Sequence, residues 1–167
     1  MTALTSLRPV VLTLLTTLTV LAAPAAHSDP QVRPFKATLT THETLAANPV
    51  ACPLSVLQGT TSGQGNASHM GKITLSATDC VTLGASQFTF TNGVLMLLAA
   101  NGDTLVAEYS GALLPSAAYP VYTLSGTYRV TGGTGRFSSA TGAGSMQGTT
   151  NITTGQGTFV ATGTLGY

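Results

Sequence analysis

A carboxylate and an imidazole are the side chains of this sequence whose types and surroundings suit proton transfer. Glu108, in "TLVAEYSG", shares a face with Val106. If that face lines an apolar interior, burial disfavours the charged carboxylate and lifts its pKa towards the range of a working general base. If the face points outwards, Glu108 is an ordinary solvated acid. His69, in "NASHMGKIT", falls on the apolar side of an alternating run and could serve as a base there, although a single histidine on a strand is more commonly packed or capped. Glu108 and His69 are therefore the candidate catalytic residues, and no third group completes a familiar constellation around them. "GAGSMQG" misses the Gly-x-Ser-x-Gly elbow by one position and has no helical pattern behind it. Five acidic residues leave few pairs for a two-carboxylate glycosidase. The five tyrosines are spread singly, a pattern that more often closes a core than lines a binding surface.

The stretch "GGTGRFSSATGAGSMQG" resembles a phosphate-binding loop only superficially. A dinucleotide fingerprint needs Gly-x-Gly-x-x-Gly between a strand and a helix, and here the spacing fails at Ser138. A Walker loop needs Gly-Lys-Ser or Gly-Lys-Thr, which the chain lacks. Gly132, Gly133 and Gly135 read instead as residues of a tight connection, with Phe137 plugging a barrel end. No cofactor is expected. No metal site is expected either, because there is no Cys-x-x-Cys and His42 and His69 stand far apart.

Residues 1–28 read as a secretory signal peptide: Arg8, an apolar run from Pro9 to Ala23, then small residues, with cleavage between Ala25 and Ser28. The run is short and Thr-rich and no basic stop-transfer cluster follows, so no stable membrane anchor is expected after cleavage. The expected address is secreted, periplasmic or cell-envelope. Cys52 and Cys80 both lie in the exported part and are expected to form a disulfide, stabilising the fold by roughly 3 to 4 kcal/mol. Two sequons, Asn66-Ala-Ser and Asn151-Ile-Thr, matter only in a eukaryotic secretory pathway.

The exported chain carries five Lys or Arg, scattered singly, and five Asp or Glu, so it has no basic face with which to displace counterions from nucleic acid. With 7% charged residues it cannot write amphipathic helices with charged outer faces, whereas its Thr, Val and Ile suit a pleated sheet. All 19 glycines follow residue 58 and punctuate short alternating runs. "FKATLTTHE" is a first strand with Phe35, Ala37 and Leu39 on one face, and "PLSVLQGT" a second. "GNASHMGKITLSATDC" reads as one long strand bent at Gly71. "FTFTNGVLMLLAANGDTLVAEYSG" is a hairpin with Asn101 and Gly102 at its tip. A two-residue loop there pairs Leu95 with Glu108, and a three-residue loop pairs Val94 with Glu108. "VLMLLA" is apolar on both faces, which calls for an outer cover, either a second copy in a homo-oligomer or the loop "LLPSAAYPVY". "YTLSGTYRV", "GAGSMQGTT" and "GTFVATGTL" complete a set of seven or eight strands. The fold class is all-β, a single antiparallel closed β-barrel of about eight strands, because closure removes exposed edges. The N-terminal segment and first strand occupy residues 29–50, and residues 51–167 form the remainder of the barrel.

"NASHMGKIT", "AANGDTL" and "YRVTGGTGRFSSATGAGSMQG" together resemble bacterial secreted proteins of the allene oxide cyclase barrel-like group, related to plant dirigent proteins, from about residue 55 to the C-terminus. That resemblance implies a compact eight-stranded barrel, often oligomeric in the plant relatives, with an apolar cavity for small molecules; it transfers no catalytic residue. Three functions are then open. The favoured one is non-enzymatic binding of a small apolar ligand, or a cell-envelope role, in a cavity without convergent polar groups. A cyclase or isomerase would point Glu108 or His69 into the cavity. A surface interaction module would have a barrel filled solid.

Overall fold

The computed structural model describes residues 31–167; the signal-peptide reading lies outside them. Eight strands follow one another: β1 (Val32–Ala47), β2 (Leu57–Ala67), β3 (Gly71–Leu83), β4 (Phe88–Ala99), β5 (Thr104–Pro115), β6 (Val121–Gly133), β7 (Thr141–Asn151) and β8 (Gln156–Gly166). Each pairs antiparallel with its sequence neighbour, and β8 pairs with β1 to close the barrel. The period-2 pattern of the sequence becomes an inside and an outside. Phe35, Ala37 and Leu39 of β1, Ile73, Leu75 and Ala77 of β3, and Leu105 and Ala107 of β5 are buried, while Lys36, Thr38, Thr74 and Ser76 between them are exposed.

The division between the second and third strands differs from the sequence reading. "PLSVLQGT" is turn up to Val56, and the long alternating run is a hairpin with Ser68–Met70 at its tip. His69 and Gly71 take positive φ there, 65° and 70°. Ala67 pairs with Gly71 across three turn residues. An odd number of turn residues keeps even and odd positions on the same faces through the reversal, so the alternation runs on and hides the turn. The β4–β5 hairpin adopts the three-residue loop: Val94 pairs with Glu108, and Gly102 has φ 89°. Gly132 and Gly135 take φ values of 139° and 58° before the buried plug, whereas Gly133 ends β6 beside the Thr104 carbonyl. Among the described residues, the outward side chains Val94, Met96 and Leu98 of β4 remain exposed.

The two barrel ends differ. One is shut by a short 3-10 turn, Gly135–Phe137, which delivers the Phe137 ring with no solvent exposure against Tyr167, their centroids 5.0 Å apart. The interior beneath is packed, with a void of only about 20 Å³ between Phe35, Leu39, Leu97, Leu105, Val130 and their neighbours. The other end carries the connections β1–β2, β3–β4, β5–β6 and β7–β8 and stays open. A disulfide between Cys52 and Cys80, with Cα atoms 5.4 Å apart, ties the β1–β2 connection to β3 at this end. The bond fits an oxidising compartment.

Candidate functional site

Eight strands enclose just enough space to be filled by side chains or to hold one small ligand. Here the two halves take different options. Below the open end lies a cavity of about 450 Å³, with Leu75, Val81, Phe90, Leu113, Leu124 and Phe159 in its apolar wall, so the barrel is not filled solid. Threonines of β1, β2 and the β7–β8 region surround its mouth.

Three polar side chains converge on the cavity: Glu43 of β1, Asp79 of β3 and Tyr109 of β5. The Tyr109 hydroxyl donates to Asp79 Oδ2 at 2.7 Å. Asp79 is buried, and its other oxygen, Oδ1, has no hydrogen-bond partner. The strands between these three contribute glycine. On β2, Gly59 pairs with Asp79, and a Cβ there would collide with Asp79 Oδ1 and come within 2.7 Å of Glu43 Oε1. On β4, Gly93 pairs with Tyr109, and a Cβ there would stand 2.7 Å from two atoms of the Tyr109 ring. The register between β3 and β4 also shifts beside Asp79, where Asn92 takes φ 53°. With no side chain standing inwards on β2 or β4 at this level, groups on alternate strands reach one another.

Electrostatics follow from that enclosure. Burial pushes the Glu43 carboxyl from 4.5 up to about 7, and the negative charge of Asp79 adds to the rise. Burial also raises Asp79, opposed by the Tyr109 hydrogen bond, which favours the carboxylate. Tyr109 is held well above the ordinary phenol range by its own burial and by the Asp79 charge. At neutral pH Tyr109 is therefore a hydrogen-bond donor, and the two acids compete for protons as a coupled pair.

The residues singled out from sequence lie elsewhere. Glu108 is on the outer wall, its side chain 58% exposed, and accepts a 2.6 Å bond from Arg129 Nη2 on β6. His69 sits in the β2–β3 turn at the closed end, with Nε2 3.0 Å from the Pro34 carbonyl oxygen and its ring tilted against Tyr167. Neither lines the cavity. The reason is parity: inward positions on β5 are Leu105, Ala107 and Tyr109, so Glu108 must face out. The same count finds what was missed. Phe35, Ala37 and Leu39 extend inwards through Thr41 to Glu43, and Ile73, Leu75 and Ala77 extend to Asp79.

The chain matches no protein-family model, no curated protein and no solved structure. Among the described residues no group of three or more His, Cys, Asp or Glu is arranged to hold a metal ion. The site presents two carboxyl groups and a phenol at the wall of an apolar chamber, with His42 and threonines also in its lining.

Proposed function

We propose that this protein is an extracytoplasmic binding protein that takes a small, largely apolar ligand into the open end of its barrel. The observation that carries the reading is the cavity itself, about 450 Å³ and walled by aliphatic and aromatic side chains, a size and lining typical of small-molecule sites. The resemblance to allene oxide cyclase-like barrels supports the same reading, with one departure from expectation: polar groups do converge on this chamber. A neutral apolar fluorophore such as N-phenyl-1-naphthylamine should bind saturably. Ala77→Phe, which fills the chamber from β3, should weaken that binding by about tenfold or more, since a ligand forced against the added ring meets an overpacking cost of about 1–3 kcal/mol. Absence of saturable binding, or binding indifferent to Ala77→Phe in a folded variant, would defeat the reading.

The acid pair favours a second reading, an isomerase or cyclase that moves a proton on a hydrophobic substrate. It is separable from the first, because Glu43→Gln would then abolish turnover while leaving uptake of the neutral fluorophore intact.

A further inference from the structure

Resting on the ligand-binding reading, we infer that the occupant of this chamber is an amphipathic organic cation, an ammonium group carrying an apolar body. Its nitrogen would lie between Glu43 and Asp79.

The geometry sets the requirement. Asp79 Oδ1 is buried without a partner while the rest of that carboxyl is engaged by Tyr109. An unsatisfied buried carboxylate oxygen is costly, and a donor from the ligand removes that cost. Glu43 Oε1 and Asp79 Oδ1 both press on the point where a Gly59 Cβ would stand, so they lie within about 5 Å of each other. A charged N–H···O bond is about 2.8 Å long, so one ammonium nitrogen can reach two oxygens up to about 5.6 Å apart. A hydroxyl has a single hydrogen and satisfies only one of them. Beyond the acids the chamber is apolar, with Leu75, Leu95, Leu113 and Phe90 along its wall, which suits a hydrocarbon body better than a hydrated metal ion.

Charge points the same way. Among the described residues, the titratable side chains at the cavity are Glu43 and His42 from β1, Asp79 from β3 and Tyr109 from β5, and neither Lys nor Arg lines it. An anionic head would meet two acids with no fixed cation to offset them. A cation is held by ionised carboxylates, so its affinity should fall as acidification protonates Glu43, which burial and the Asp79 charge have raised.

The test compares octylammonium, octan-1-ol and octanoate by calorimetric titration of the folded protein. Octylammonium at pH 8 should bind at least about tenfold more tightly than octan-1-ol, the difference between a charge-assisted and a neutral hydrogen bond, and octanoate should not bind. Lowering the pH from 8 to 5.5 should weaken octylammonium by about tenfold or more, with Glu43 titrating at about 7, and leave octan-1-ol unchanged. Glu43→Gln should weaken octylammonium binding at pH 8 and reduce its pH dependence to what Asp79 alone supplies, and an unchanged preference in that variant overturns the inference even if Asp79→Asn fails to fold. Equal affinity for the amine and the alcohol overturns this inference while leaving the apolar-ligand reading intact. Tighter binding of calcium or potassium chloride than of octylammonium also overturns it. Failure of all three octyl compounds together with the neutral fluorophore defeats both.

Discussion

Replacing Glu43 by glutamine should flatten the dependence of stability on pH and make the protein more stable in mild alkali. Burial, aided by the Asp79 charge, pushes the folded-state pKa of Glu43 from 4.5 up to about 7. Between those values the folded protein keeps a proton that the unfolded chain has released, so stability falls as pH rises through the window. The contribution is fully present below about pH 4.5 and lost above about pH 7. At about 1.4 kcal/mol per tenfold change in proton affinity, the displacement amounts to roughly 3 kcal/mol. Asp79, also raised, acts in the same direction. Glutamine is neutral at every pH and has the same length, so Glu43→Gln should gain most of those kcal/mol at pH 8 and change little at pH 4.5. Urea denaturation followed by far-ultraviolet circular dichroism at half-unit steps from pH 4.5 to 8 measures the profile, and carbon-13 shifts of the Glu43 carboxyl locate its titration directly. A carboxyl titrating near 4.5, or a variant whose stability parallels the parent at every pH, would refute the claim that the chamber desolvates Glu43.

Other outcomes follow from the same packing. Joint replacement of Cys52 and Cys80 by serine opens a loop with a sequence separation of 28 and should cost about 3.5 kcal/mol in the chain-entropy picture, read as a shift of the urea midpoint. Phe137→Ala empties the closed end, where the ring has no solvent exposure, and should cost about 3 to 5 kcal/mol; a loss below about 1 kcal/mol would show that Phe137 is not the plug. Glu108→Gln breaks an exposed pair with Arg129 and should change stability by less than about 1 kcal/mol. It should leave fluorophore uptake unaltered, whereas a large loss of binding would place Glu108 at the ligand after all.

The local alternation of the chain determined a good deal. Hydroxyl-rich runs punctuated by glycine specify strands, an apolar inside and a hydroxyl outside, because successive side chains on a strand must point to opposite faces. Followed to the ends of β1 and β3, that count places Glu43 and Asp79 inside, and on β5 it places Tyr109 inside and Glu108 outside. The β2–β3 turn was illegible for the same reason, since a three-residue reversal leaves the parity undisturbed.

What alternation leaves open is height along the barrel axis. Whether Glu43, Asp79 and Tyr109 stand at one level depends on the stagger of five successive strands and on the register shift beside Asp79, quantities fixed by inter-strand hydrogen bonds rather than by any one segment. The glycines on β2 and β4 read locally as strand weaknesses. Only in the closed sheet do Gly59 and Gly93 fall between the three side chains, so that leaving out two side chains opens the path by which the acids and the tyrosine meet.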